Sequence, residues 1–294
     1  FSLGLVTSSG SLGLLFPPSV PLILYGIIAQ QMEVGEPFTI SELFLAGVMP
    51  LLLMLAALVI YTLWHHRHGQ IPREPFSRKK FTAALWAARW ELPLPVIILG
   101  GIYSGWFAIS EAAALTAVYV TIVEVALYRE IPLKQLQKVM VDSMVMVGGI
   151  LLILGVALAF TNFLVDAEVP QALFEVMQEQ VDSAITFLLL LNIMLLVLGA
   201  MLDVFSALVI VVPLILPVAA GFGIHPVHLG IIFLANMQIG YFTPPVGMNL
   251  FIASYRFNRP LLELYAACVP FMIVLLVALM LITYVPWFSM ALIR

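Results

Sequence analysis

The sequence predicts an all-α polytopic membrane protein. Of its 294 residues, 63% are hydrophobic and only 10% are charged, whereas an ordinary soluble domain carries about 25% charged residues. The apolar residues come in runs of about 17 to 25, the length that crosses a bilayer as a helix. No strand-like alternation runs through them, so each crossing must satisfy its own backbone as a helix does.

Along the chain the elements run in this order. Residues 1–30 form an apolar segment broken at Gly10, Gly13, Pro17 and Pro18. Residues 43–64 make a clean span. Residues 92–108 and 111–128 make two shorter ones, joined near Ser110 and Glu111. Residues 78–90 mix Arg78, Lys79, Lys80 and Arg89 with Phe81, Leu85, Trp86 and Trp90, which suits a helix lying in the interface. Residues 131–138 read as a shorter version of it. Residues 140–164 are another span, and 184–201 with 204–220 are a close pair around Asp203. Residues 228–255 are a second broken segment, interrupted at Gly240, Pro244, Pro245 and Gly247. Residues 264–288 are the last span.

Charge sets the orientation. Lys and Arg fall almost entirely in residues 65–90, in residues 129–138, and at Arg256 and Arg259. The positive-inside rule puts these on the cytoplasmic side. Segments 31–42 and 166–182 are acidic, lack Lys and Arg, and fit the outside. The crossings then balance if 184–220 is a re-entrant hairpin with its tip at Asp203. Two full spans are the alternative, and they would put Arg256 and Arg259 outside unless the broken segment is itself re-entrant.

The chain also repeats itself. Phe16-Pro17-Pro18-Ser19-Val20 near the first break matches Thr243-Pro244-Pro245-Val246 near the second. Glu42-Leu43-Phe44 leads to Pro50 and a span, and Glu263-Leu264-Tyr265 leads to Pro270 and a span. The first link is acidic and the second carries arginines, so the two copies have opposite topology. Inverted repeats with broken helices are the build of many secondary transporters. The second copy has a hairpin before its break, so the matching hairpin is expected upstream of Phe1.

Prolines and glycines inside a membrane helix free backbone groups that cannot face lipid and must line protein or a polar cavity. Carbonyls at half-helix C-termini favour cations, and half-helix N-termini favour anions. Thr7, Ser8, Ser9 and Ser11 add hydroxyls at the first break; Gln238, Thr243 and Asn249 add polar groups at the second. Asp203 is either a functional buried acid, a helix N-cap, or both. His225 and His228 lie in an outer turn with no partner Cys or acid. The lone Cys268 excludes an intrachain disulfide. There is no phosphate loop, nucleophile elbow or HExxH, so neither an ATP-driven pump nor an intramembrane protease is expected. No nucleic-acid partner is expected either.

Three stretches carry a family resemblance. They are Gly4 to Pro21 (GLVTSSGSLGLLFPPSVP), Gly240 to Phe251 (GYFTPPVGMNLF), and Gly100-Gly101-Ile102-Tyr103-Ser104-Gly105 leading to Ser110-Glu111-Ala112. Gly199-Ala200-Met201-Leu202-Asp203 fits with them. Together they resemble the large membrane (M) subunit of TRAP transporters, the tripartite ATP-independent periplasmic transporters. The resemblance covers nearly the whole chain.

It implies a subunit of the bacterial inner membrane that imports organic acids such as dicarboxylates or sialic acid, coupled to Na⁺ as an elevator. It implies a periplasmic substrate-binding protein and a small membrane (Q) subunit as partners, within a lipid bilayer. One Na⁺ set is then Gly199, Gly240, Thr243 and Val246. The other is Gly13, Phe16 and Ser19, completed by a missing N-terminal part of the subunit. The substrate is expected near Ser9, Ser11, Asp203 and Asn249. The expected blocks are a broken helix over 1–42, scaffold and arm helices over 43–183, hairpin and broken helix over 184–255, and arm and last span over 256–294. The transport parts are the first and third of these. A related divalent-anion/Na⁺ symporter, independent of a binding protein, is the alternative.

Overall fold

The computed structural model describes residues 1–67, 76–167 and 183–293, with Glu175 and Val181 besides. Among the described residues all regular structure is helical. In chain order the elements begin with α1 (Ser2–Ser9), a 3₁₀ turn (Gly10–Leu15), α2 (Val20–Gln31) and α3 (Ile40–His65). Then come α4 (Arg78–Ala87), α5 (Pro93–Tyr103), α6 (Ile109–Ile122) with a π-helical end (Val123–Leu127), and α7 (Leu133–Asp166). The rest are α8 (Ala184–Met201), α9 (Val204–Gly221), α10 (Pro226–Gly240), α11 (Met248–Phe257), α12 (Leu261–Tyr284) and α13 (Trp287–Met290). Among the described residues five helices are long and apolar enough to cross a membrane: α3, α6 with its π-helical end, α8, α9 and α12. The bent pair Ser2–Leu15 and Val20–Gln31, at 40°, makes a sixth if taken as one span.

The chain forms two compact units. The first joins Phe1–His68 to Ile153–Arg294 and holds both breaks. At its centre lies α10, every residue of which is buried. The sequence repeat has a local cause here. Glu42 sits in the first turn of α3 and closes a capping box: it accepts from Thr39 N at 2.6 Å, and Thr39 Oγ1 accepts from Glu42 N at 3.2 Å. Glu263 sits in the first turn of α12, where an acid also favours the helix N-terminus. Pro50 and Pro270 both fall inside these long helices. Residues 43–65 and 261–284 belong to the same compact unit as the breaks.

The second unit, Gly69–Leu152, has its own small core of Ile98, Ile102 and Ala112, with Leu94, Phe107 and Ile109 against it. Glu111 Oε2 accepts from Ala108 N at 2.8 Å, so its role is to start α6. Two expectations change here. The span expected over 92–108 is helical only over Pro93–Tyr103, 11 residues, about 16 Å at 1.5 Å per residue and half a hydrocarbon core. Gly105 breaks it, with a left-handed φ of 74°. Residues 131–138 are no separate surface helix: from Leu133 on they are the first turns of the 34-residue α7. Most of the acidic segment 166–182 lies outside the described residues.

Candidate functional site

At the first break the helix tightens before it stops. Gly10–Leu15 wind as a 3₁₀ turn, and Phe16 then extends at φ −85°, ψ 120°. Ser19 restarts the helix: its Oγ donates to Leu14 O at 2.6 Å and accepts from Leu22 N at 3.5 Å, so one hydroxyl ties the two stubs together. Phe16 N donates to Gly13 O at 3.1 Å. Gly13, Phe16 and Ser19, the first expected cation set, therefore surround a single turn, with Gly13 and Phe16 exposed and Ser19 buried.

At the second break α10 ends on Gly240. Thr243 N donates to Gly240 O at 3.0 Å, and Thr243 Oγ1 donates to Ile239 O at 2.8 Å. Gly247 opens α11 at φ 45°, where a Cβ would stand 2.8 Å from Thr243 O; only glycine suits that turn. The Pro17–Pro18 and Pro244–Pro245 peptide bonds are both cis.

The hairpin tip closes on this second break. A Cβ on Gly240 would lie 2.5 Å from the carbonyl carbon of Gly199 and 2.6 Å from its Cα, so the two backbones touch. Gly247 N donates to Ala200 O at 3.2 Å, and Val204 N donates to Tyr241 Oη at 3.0 Å. Gly199, Gly240 and Thr243 of the second expected set thus come together. Val246 is one peptide away from the Gly247–Ala200 bond. The tip of α8–α9 meets the middle of the interrupted segment rather than its end.

The two breaks also meet each other. Ser11 Oγ donates to Gln238 O at 2.8 Å, and Asn249 Nδ2 donates to Thr7 O at 3.3 Å. Further along, Tyr25 Oη donates to Pro226 O at 2.5 Å. Numbers rise along the first segment (7, 11, 25) as they fall along the second (249, 238, 226). The interrupted segments therefore run antiparallel, as the opposite loop charges require.

Of the expected substrate residues, Ser11 and Asn249 stand at this crossing. The Ser9 hydroxyl turns back on Val6 O at 3.3 Å. Asp203 caps α9: Oδ1 accepts from Phe205 N and Ser206 N at 3.0 Å, and Oδ2 accepts from Ser206 Oγ at 2.6 Å. It is linked to the second break through Val204 and Tyr241. None of these bonds reaches the first.

Sequence reasoning missed a buried polar chain that flanks the site. Asn236 Nδ2 donates to Asn192 Oδ1 at 2.6 Å, and Asn192 Nδ2 donates to Thr283 Oγ1 at 3.2 Å. His228, read with His225 as an outer-turn residue with no partner Cys or acid, is 3% exposed; it is His225 that has an acid, Glu36. His228 Nδ1 is 2.6 Å from Ser289 Oγ and its Nε2 is 3.2 Å from Thr283 O. The available signal was polar side chains inside apolar runs, which are costly in a membrane. A cavity of about 610 Å³ opens beside this chain, lined by Glu36, Glu42, His225 and His228 among others. His225 Nε2 lies 3.4 Å from Glu36 Oε2 there.

The donor set limits the chemistry. Among the described residues no three His, Cys, Asp or Glu side chains gather as a transition-metal site would require. What the breaks offer is carbonyls and hydroxyls, the neutral oxygens that suit a hard monovalent cation. Gln238 Oε1 is buried beside the crossing with no hydrogen-bond partner, an uncommon state that costs about 1–3 kcal/mol.

Antiparallel broken helices that meet a hairpin tip inside a helical membrane protein are the build of a membrane transporter. The chain belongs to the family described as the tripartite ATP-independent periplasmic transporter, DctM component, whose model matches residues 1–288. It is 38% identical over 301 residues to the C4-dicarboxylate TRAP transporter large permease protein DctM of Rhodobacter capsulatus, covering 99% of this chain and 68% of the relative. It is 33% identical over 296 residues to the sialic acid TRAP transporter large permease protein SiaM of Vibrio cholerae, covering 99% and 67%. It is 35% identical over 288 residues to the isethionate TRAP transporter permease protein DctMQ of Oleidesulfovibrio alaskensis, covering 97% of this chain but 44% of the relative. The chain thus spans less than half of that last protein and about two thirds of the other two. The family is a transporter component and not an enzyme.

Proposed function

We propose that this chain carries much of the transport core of a Na⁺-coupled importer of small organic acids in the bacterial inner membrane. A periplasmic substrate-binding protein supplies the substrate, and a small membrane subunit completes the transporter. The observation that carries this reading is the antiparallel crossing, with Ser11 Oγ on Gln238 O at 2.8 Å. It brings two interruptions into one place, where main-chain oxygens face protein instead of lipid. The relatives are named for a C4-dicarboxylate, sialic acid and isethionate, all anions at neutral pH.

The mechanism needs no covalent step. Gly199, Gly240, Thr243 and Val246 at the second break, and Gly13, Phe16 and Ser19 at the first, would each hold one cation through carbonyl and hydroxyl oxygens. Sodium there supplies the positive charge that a carboxylate pairs with. Ser11 and Asn249 give the crossing its polar side chains, with Ser9 close in sequence to it and Asp203 tied to the second break through Val204 and Tyr241. The hairpin and the two breaks then shift together across the membrane as an elevator. The cavity lined by Glu36 and His225 lies on the side assigned to the periplasm and is where a delivered solute would enter.

The test is uptake by proteoliposomes holding the complete transporter. Uptake should need both an inward Na⁺ gradient and the purified binding protein. Uptake that ignores the gradient would overturn the coupling. Uptake that runs without the binding protein would favour a self-sufficient divalent-anion symporter.

A further inference from the structure

The transport reading uses the main chain of Gln238 and leaves its side chain without a role. Gln238 is fully buried and stands in the last turn of α10. Met54 of α3 orients its amide: Nε2 donates to Met54 Sδ at 3.3 Å. A thioether accepts and cannot donate, so the nitrogen takes the Met54 side and the oxygen turns away from it. Oε1 has no hydrogen-bond partner among the described residues. A buried acceptor in that state is rare, and a bound ion or water is its usual explanation.

The place favours positive charge. Helix α10 stops at Gly240, and a helix end leaves carbonyls without onward amides. Gln238 O is one of them: Phe242 N, four residues on, donates to Ile239 O at 3.2 Å instead. Ser11 Oγ donates to Gln238 O at 2.8 Å and fills one of its two lone pairs. The other remains, and so do those of Ser11 Oγ, itself buried. These oxygens lie at the negative end of the helix dipole. None can donate to an anion, because Oε1 only accepts and the Ser11 proton is already placed. The chemistry excludes a carboxylate here and asks for a cation or a donor.

The position is also separate from both expected cation sets. Gly240 faces the hairpin, where it touches Gly199. Gln238 is two residues earlier, about 200° round the helix, and faces α3 and the first break. Gly13 and Phe16 of the first set are exposed, whereas Gln238 is enclosed.

We infer that Gln238 Oε1 is a ligand of a third cation position, at the crossing of the two breaks, which takes Na⁺ through oxygens of Gln238 and Ser11. The inference rests on the Na⁺-coupled reading and adds one ion to it. Gln238 then joins the two repeats twice, through its main chain to Ser11 and through the shared ion.

Melting of the complete transporter, titrated with NaCl against choline chloride at constant ionic strength, tests this with Na⁺ as the only probe. Above the dissociation constants, the slope of stability against log [Na⁺] counts the ions bound to the folded state. Gln238→Met keeps the length of the side chain and loses Oε1. Its slope should fall by about one third, from three ions to two. In choline chloride it should melt no lower than the wild type, since an acceptor without a donor is gone. Gln238→Leu, which also lacks the carbonyl, should show the same smaller slope. A wild type that Na⁺ stabilises, with both variants keeping its slope, would overturn the inference and leave Na⁺ coupling standing; a water on Oε1 gives that result. Variants that melt lower in choline chloride at an unchanged slope would assign the amide to packing, and would overturn it too. A wild type that Na⁺ does not stabilise would overturn the coupling reading itself.

Discussion

The hydroxyl of Ser11 donates to the main-chain carbonyl of Gln238 at 2.8 Å, across 227 positions of sequence. It is shorter than the bond from Asn249 Nδ2 to Thr7 O, at 3.3 Å, that also joins the two breaks. Ser11→Ala should remove it, and a buried carbonyl left without a donor costs about 1–3 kcal/mol. Thermal unfolding of the purified transporter should fall accordingly, and uptake should fall with it. A variant with unchanged melting and unchanged uptake would remove Ser11 from the site.

Gly240 and Gly199 permit a backbone contact that no side chain allows. A Cβ at Gly240 meets Gly199 main-chain atoms at 2.5–2.8 Å, whereas a Cβ at Gly199 meets its nearest neighbours at 3.3 Å. Gly240→Ala should therefore destabilise by about 1–3 kcal/mol, as overpacking does, and Gly199→Ala by less. The order of the two melting temperatures is the check.

Thr243 separates hydroxyl from shape. Its Oγ1 donates to Ile239 O at 2.8 Å and keeps lone pairs free to face a cation. Thr243→Val should insert normally and lose Na⁺-dependent uptake, and Thr243→Ser should retain it. If sodium dependence is the same in the Val variant, Thr243 is not a ligand.

Asp203 can be divided into cap and charge. Asp203→Ala removes the acceptor of Phe205 N and Ser206 N and should cost about 0.5–2 kcal/mol of stability. Asp203→Asn keeps an oxygen in the same place. Full uptake in the Asn variant assigns the residue to capping alone; lost uptake with normal melting assigns a role to the charge.

The buried amides should be coupled. Asn236 and Asn192 are linked at 2.6 Å, and a double-mutant cycle through Asn192→Leu and Asn236→Leu should give about 0.6–1.7 kcal/mol, the range for polar pairs inside membranes. A cycle that closes to zero would make the pair incidental.

Both breaks were legible in the sequence because their causes are local. Pro17, Pro18, Pro244 and Pro245 cannot continue a helix, and Gly247 adopts a conformation few other residues accept. The hairpin tip was legible because Asp203 interrupts a long apolar stretch and can cap the helix that starts at Val204. The contacts of Asn192 and His228 were not, because their partners Thr283 and Ser289 lie 91 and 61 positions away. Asn192 still left a trace as the one amide in the run from Phe187 to Met201. The short α5 was misjudged because composition reports apolarity and not where a glycine turn falls.

Helix Pro226–Gly240 is enclosed along its entire length. It cannot slide alone: any displacement must drag its neighbours, or else strip its 15 residues of their packing at once. Spectroscopic labels placed on it would perturb the core they are meant to watch. Reporters of motion belong instead on outward positions of α11, such as Tyr255, which is 93% exposed.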